Sequence, residues 1–540
     1  MSQTKTAAKD RVSFLEKSAF GAGHLVNNLL PGALSFFMFF LLTAFGMDPV
    51  YAGLLGGLPR IFDAITDPIM GFISDNTTSR WGRRRPYIFV GAIASGLLFA
   101  LLWQMDENNS QTYNFWYFLI LSMVYLIGNT MFSTPLIGLG YEMTSDYNER
   151  TRLMAFSQTV GQIAWMIVPW FWVLIADLEI WGLSSEALAA MGGVPDQATT
   201  AKYQAIGVRT MALYVAGACM VLGILPAIFC RGIDSAKMEN RKEISFKTLF
   251  TNLKDLFTGI VQVAKNKPFV KLCGATFLVF NGFQMVAAFS VYIIVFSMYN
   301  GDYGAAGTWP AWFSMISAIL TAFVVIPIIS AMANKWGKRK AFIISTFISI
   351  VGYLLKWWGF DNEANEKFNE TGFAQSLNEG VTSLFQSIQP TLDSIGMSWF
   401  TIDATNGAPW LIFVPLPFIA FGIGGLFTLM MSMTADVCDL DELENGMPRK
   451  EGTFGAIYWW MVKLGQALAL VLAGVVLKAV GFDQNSATQT AETMVNLRIA
   501  DIVIPALTAF IAIIVMRKYS LTEKRSIEIK EILVKRRGEL

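Results

Sequence analysis

The chain has 540 residues, of which 54% are hydrophobic, 14% aromatic and only 15% charged, against a charged fraction of roughly one-quarter in an average soluble domain. So few charged side chains cannot cover the surfaces of several globular domains, which excludes a water-soluble array and points to one polytopic membrane body. With 41 Lys+Arg against 40 Asp+Glu, the net charge of +1 supplies no overall basic field for nucleic acid.

Met1 to Lys17 are polar and mixed in charge, so no cleavable signal peptide is expected ahead of the first apolar run. Apolar runs long enough to cross a bilayer then recur twelve times, at 20–45, 51–75, 86–104, 114–141, 152–176, 208–230, 270–298, 308–332, 341–359, 409–434, 453–480 and 499–518. A polar stretch at 231–269, with Lys237, Arg241, Lys242, Lys247, Lys254, Lys265 and Lys267, divides them six and six. The pattern predicts an all-α membrane protein of twelve transmembrane helices in two pseudo-symmetric bundles. One bundle occupies 1–230, a cytoplasmic connector 231–269, the second bundle 270–518 and a cytoplasmic tail 519–540.

The linkers alternate in charge. Lys9, Arg11 and Lys17 precede the first run, Arg80, Arg83, Arg84 and Arg85 follow the second, and Lys335, Lys338, Arg339 and Lys340 follow the eighth. Opposite linkers carry acids, among them Asp106, Glu107, Asp177, Glu179, Asp302, Asp361, Glu363 and Asp393. An excess of bases marks the cytoplasmic side, so both termini are expected there, in a multi-pass protein of the cell inner membrane. The linkers 177–207 and 360–408 are the longest on the opposite side, each either a cover or a solvated excursion.

An internal repeat supports two bundles. Arg80-Trp81-Gly82-Arg83-Arg84-Arg85 after the second run returns as Lys335-Trp336-Gly337-Lys338-Arg339-Lys340 after the eighth, and Asn27-Asn28 of the first run matches Asn281-Gly282 of the seventh to within one residue. Repeated halves around a midplane site are a transporter architecture.

The second run holds Arg60, Asp63 and Asp67. Spacings of three and four residues put all three on one helix face. A charge at the bilayer centre costs at least about 2.5 kcal/mol, so the stripe is expected to face a cavity. Two carboxylates and one guanidinium sum to −1, which one sodium ion or one proton neutralises. For sodium, Asp63 and Asp67 are the metal ligands and Thr66 a further oxygen; for a proton, one carboxyl suffices. Pro68 lacks an N–H and frees a helix carbonyl near the acids. The in-register stretch of the eighth run, Ala318 to Phe323, contains no acid, which places the coupling ion in the first half. Lys463, about ten residues inside the eleventh run, is the matching candidate charge partner from the second half.

Asn27, Ser133, Gln158 and Gln162 offer hydrogen bonds along a solute route, and Trp165 and Trp460 offer flat faces on which a sugar ring stacks. Interfacial anchoring of tryptophan and ordinary helix packing explain the same residues as well. Arg80, Arg83, Glu142 and Asp436 are candidates for gating ion pairs on the basic side, with topological anchoring and solvation as the plainer explanation. One histidine, His24, and four unpaired cysteines, Cys219, Cys230, Cys273 and Cys438, suggest neither a transition-metal site nor a disulfide framework.

Arg60 to Gly71, followed by Ser79-Arg80-Trp81-Gly82-Arg83-Arg84-Arg85-Pro86, resembles the signature of the glycoside-pentoside-hexuronide:cation symporters. These are a branch of the major facilitator superfamily that includes the melibiose permease. The resemblance implies alternating access between two six-helix bundles, with Asp63 and Asp67 in a cation site and Lys463 nearby. It also implies no cofactor beyond Na+ or H+ as coupling ion. The chain departs from that permease where aspartates of spans one and four become Asn27 and Ser133, and where an arginine of span five becomes Gln158. Those changes remove charge from the solute pocket. The expectation is a cation-coupled symporter of a sugar, glycoside or uronide, not an enzyme. The alternatives are a carrier of a lysolipid or other amphiphile, and a non-transport membrane sensor.

Overall fold

A computed structural model describes residues 11–144, 147–191, 195–231, 245, 248, 251, 254, 258, 265–405, 407–445 and 451–537. Most of the connector 231–269 and the last three residues of the tail lie outside them. The chain divides into two compact units, Met1–Asp255 and Leu256–Leu540.

The first unit contains α1 (Phe14–Thr43), α2 (Pro49–Asn76), α3 (Arg85–Leu102), α4 (Gln111–Glu142), α5 (Tyr147–Ala176), the short α6 (Ser185–Ala190) and α7 (Gln197–Phe229). Capping fixes where several of these begin. Ser13 and Glu16 close a capping box at the start of α1, Asp48 accepts from Val50 N ahead of Pro49 in α2, and Asp196 accepts from Thr199 N at α7. Each satisfies N–H groups that the first helical turn leaves without an internal partner.

The second unit contains α8 (Lys267–Tyr292), continued by a wider π turn at Ile293–Met298, then the four-residue α9 (Tyr303–Ala306). Next come α10 (Trp309–Ile319) and α11 (Ile326–Trp336), joined through a second π turn at Leu320–Val325. They are followed by α12 (Lys338–Gly359), α13 (Asn362–Asn369), α14 (Gly372–Ser394), α15 (Leu416–Asn445), α16 (Glu451–Ala479), α17 (Ala491–Arg517) and α18 (Glu523–Arg537).

Among the described residues, ten helical segments are long and apolar enough to cross a bilayer. Two more long helices, α2 with 28 residues and α15 with 30, cover the second and tenth runs; α2 carries Arg60, Asp63 and Asp67 within its run, whereas the acids of α15 begin at Asp436, past its run. The twelve expected runs therefore all fall on helices. The linkers differ from expectation: α7 begins at Gln197, inside the expected excursion 177–207, and most of 362–394 is helical.

Packing within each unit repeats. In the first, α1 packs on α5 and α7, and α3 on α4 and α7; in the second, α8 packs on α16 and α17, and α12 on α15 and α17. These are equivalent pairs once the six spans of each unit are counted in order. The Trp-Gly-basic turns repeat in conformation as well: Gly82 has φ 88 and Gly337 φ 82, a left-handed region that a side chain rarely tolerates. In the second unit the apolar core gathers Leu272, Val279, Met430, Val437, Phe454 and Tyr458, and α18 closes its basic end with Ile529 and Leu533.

Candidate functional site

α2 and α4 lie side by side in the first unit. On α2, Asp63 is 5% exposed, while Arg60, Thr66 and Asp67 are half-buried along the same face. From α4, Thr130 and Thr134, one turn apart, meet this stripe. Thr130 Oγ1 stands 3.1 Å from Asp63 Oδ1 and 3.1 Å from Asp67 Oδ1, so its single proton serves one carboxylate at a time. Thr134 Oγ1 donates to Asp67 Oδ1 at 3.4 Å. Thr66 Oγ1 donates to the Asp63 carbonyl oxygen at 3.2 Å and lies 3.3 Å from Thr130 Oγ1. Pro68 cannot donate to the carbonyl one turn earlier, so the backbone of α2 adds an acceptor beside the acids.

The result is a cluster of five side-chain oxygens from two helices, two of them on carboxylates. Committing the hydroxyl protons still leaves lone pairs on all five oxygens. Hard oxygen donors with a formal surplus of negative charge suit a monovalent cation or a shared proton. The acids and Thr66 are legible in the sequence as one helix face. Thr130 is legible only as a polar residue of the fourth run, and Thr134 carries no signal there, because which face of α4 meets α2 is a matter of tertiary packing.

The other sequence-predicted residues separate into groups. Asn28 Oδ1 accepts from Trp165 Nε1 at 3.3 Å, joining α1 to α5, and Asn28 Nδ2 donates to the His24 carbonyl at 2.9 Å. Asn27 and Ser133 are half-buried, Gln162 and Trp165 are exposed, and Trp460 is half-buried in the second unit. The side chain of Gln158 lies outside the described residues. Lys463 is half-buried on α16, a helix held two residues further on by the Asn281 Nδ2 bond to the Gly465 carbonyl at 3.2 Å.

At the basic ends, the ion pairs fall partly on other residues than those expected. Arg84 pairs with Asp75 at 2.5 Å, and its guanidinium occupies the space a Cβ on Gly138 would need. Arg80 is exposed, and Arg83 donates to the Asp75 carbonyl at 3.3 Å. Asp436 pairs with Lys338 at 2.6 Å. The side chain of Glu142 lies outside the described residues. Solvation, the plainer explanation for Asp436, is corrected: of the acids on α15, Asp436, Asp439, Asp441 and Glu442 are buried and only Glu444 is exposed, so α15 turns most of them inward.

A second charged cluster escaped the sequence reading. Lys356 of α12 and Asp501 of α17 form an ion pair with side chains 1% and 2% exposed. Lys356 Nζ also lies 3.3 Å from Ser290 Oγ of α8 and 4.8 Å from the centre of the Phe360 ring. Nearby, Arg498 pairs with Asp361 at 3.4 Å and stacks over Trp357. The available signal was a lone lysine in the ninth run and a lone aspartate in the twelfth, each an ionisable group in an apolar helix.

Comparison with known proteins accords with this architecture. The sequence is 22% identical to the isoprimeverose transporter of Lactiplantibacillus pentosus, over 90% of this chain and 84% of that protein. It is 21% identical to the sodium-dependent lysophosphatidylcholine symporter 1-B of Danio rerio, over 96% of this chain and 90% of that protein. The fold is similar to the crystal structure of a bacterial homolog of the human lysosomal transporter Spinster, with a TM-score of 0.59 at 14% identity, over 95% of this chain and 100% of that one. The profile of the family described as MFS/sugar transport protein matches residues 19–523. The chain therefore belongs to that family: it is a multi-pass membrane transporter of the major facilitator superfamily, on the glycoside-pentoside-hexuronide:cation symporter branch, and not an enzyme.

Proposed function

We propose that the protein couples the downhill entry of Na+ or H+ to uptake of a sugar, glycoside or uronide by alternating access. The observation that carries this reading is the Thr130 hydroxyl standing 3.1 Å from a carboxylate oxygen of both Asp63 and Asp67. Two carboxylates and one guanidinium on one face of α2 sum to a formal charge of −1 that one monovalent cation neutralises, so the ion's binding energy is available to bias the conformational equilibrium. Asp63, Asp67, Thr66, Thr130 and Thr134 are the ion's ligands in this reading, and Arg60 and Lys463 are charges that tune them. Asn27, Ser133, Gln158, Gln162, Trp165 and Trp460 line the solute route. Arg84 with Asp75, and Lys338 with Asp436, close the basic side and break when it opens. The basic ends face the cytoplasm, both termini included, and the membrane is the inner membrane of a bacterial cell.

Relatives with glycoside names support the solute class. The test is uptake into sealed proteoliposomes with sodium and pH gradients imposed separately. The solutes are a panel of glycosides and uronides, with lysophosphatidylcholine as the amphiphilic arm. Accumulation of a glycoside driven by one gradient is the expected result. Accumulation that responds to neither gradient rejects symport, and transport confined to the lysolipid rejects the sugar class.

A further inference from the structure

The 23-residue helix α14 connects spans nine and ten at the acidic end of the second unit, outside the transport site. It is fastened along its length to that end. Asn378 Oδ1 accepts from Trp410 Nε1 at 2.6 Å, Thr382 Oγ1 accepts from Ala404 N at 3.2 Å, and the Phe385 ring meets Trp312 near the start of α10 at 5.7 Å. These contacts run from one turn to the next, so α14 lies across the ends of the spans rather than projecting from them. Ala374 and Phe385 are buried on this fastened face.

A second apolar stripe remains uncovered. Phe373 is 71% exposed, Leu384 56% and Ile388 37%, and Ile395 just past the helix is 63% exposed. At 100° per residue the stripe is centred roughly 110° around the helix from the fastened face, to one side of it rather than opposite it. From Phe373 to Ile388 it runs about 22 Å. The remaining arc is polar but almost uncharged: Gln375, Ser376, Ser383, Gln386 and Ser387, with Glu379 and Asp393 the helix's two charges. No Lys or Arg occurs between residues 368 and 448.

A helix of strong amphipathicity and low net hydrophobicity lies in the plane of a membrane interface. The level is set by its neighbours. Trp357 and Trp358, exposed at the end of α12, stand where an aromatic belt meets the headgroups, and the eight-residue α13 joins that end to α14, with the Phe368 and Phe373 ring centres 6.4 Å apart. We propose that α14 is an interfacial helix whose Phe373, Leu384 and Ile388 are immersed in the lipid leaflet at the acidic end of the unit. That leaflet is the outer one in the orientation given above. Because the helix carries two acids and no base, immersion depends on apolar burial and not on anionic lipid. A phospholipid surface is the occupant; a second copy of the chain is the competing one.

The test uses the full-length protein in proteoliposomes, with a nitroxide attached to one introduced cysteine at a time: Leu384→Cys and Ile388→Cys on the stripe, Ser376→Cys and Ser383→Cys on the polar arc. The native cysteines Cys219, Cys230, Cys273 and Cys438 are all buried, and unsubstituted protein measures their background labelling. Power saturation should show the stripe positions several-fold more accessible to oxygen than to a water-soluble nickel chelate, and the polar positions the reverse, with or without anionic lipid. Equal access of the chelate to all four positions overturns the proposal by showing a solvated helix. Low access to both reagents at the stripe, with dipolar broadening between labels, overturns it in favour of a second copy. Neither readout depends on transport, so the result stands apart from the success or failure of the symport reading.

Discussion

In the first unit, α2 and α4 gather two carboxylates and three hydroxyls around a charge that sums to −1 when Arg60 is counted. In the second, α12 and α17 bury one ammonium against one carboxylate, which sums to zero. Both clusters meet the cost of charge inside a membrane protein, but by different means. A matched pair with side chains 1% and 2% exposed is neutral without a guest and ties two spans together. An oxygen cluster whose formal charge with Arg60 is −1 suits a mobile cation, the role proposed for it above. Under the proposed function, the comparison gives structural work to one unit and ion coupling to the other, within a repeat whose helices pack alike.

The largest expected effect tests the structural side. Lys356→Met leaves Asp501 buried without its partner and should destabilise the protein by about 3–5 kcal/mol, read as a lower unfolding temperature in detergent. The double variant Lys356→Met/Asp501→Leu should recover most of that loss and retain gradient-driven uptake. Loss of coupling in a stable double variant would break the comparison by placing an ion role in the second unit.

On the coupling side, Asp67→Asn removes a charged ligand worth about 1.5–3 kcal/mol, equivalent to roughly 10- to 150-fold weaker cation binding. Concentrative uptake should disappear while downhill exchange of solute persists, and wild-type accumulation by this variant would overturn the assignment. Thr130→Val keeps the shape but removes a neutral oxygen. A change of about 0.5–1.5 kcal/mol should raise the cation concentration for half-maximal uptake roughly two- to twelvefold, with the solute affinity at saturating cation unchanged. Thr134→Val, which removes the longest contact of the cluster at 3.4 Å, should have the smallest effect, about twofold or less. An effect of Thr134→Val exceeding that of Thr130→Val would show that α4 meets the ion at a different level of the helix.

Much of this was visible before any coordinates. Asp63 and Asp67 announce themselves because a carboxylate in an apolar run demands an explanation, and their spacing places them on one face whatever surrounds the helix. The same logic applied to Lys356 and Asp501, but they lie about 145 residues apart in the chain, and nothing local says that α12 and α17 adjoin. Charge alternation separated the basic from the acidic linkers, yet the pairing of Arg84 rather than Arg80 with Asp75 depends on how a turn directs three consecutive arginines. The solvated role offered for Asp436 failed for a related reason: a cluster rich in Asp and Glu reads as surface until neighbouring helices enclose it.

Composition, run length and repeat thus determined a two-part helical membrane protein with ionisable groups on the second span, because bilayer thickness and the cost of burying charge act on local sequence alone. Only the tertiary structure decided that Thr130 stands between the two acids, that Lys356 finds Asp501, and that α14 fastens one apolar stripe and leaves another uncovered. Those are meetings of helix faces, set by packing between segments distant in the chain, and no local pattern encodes them.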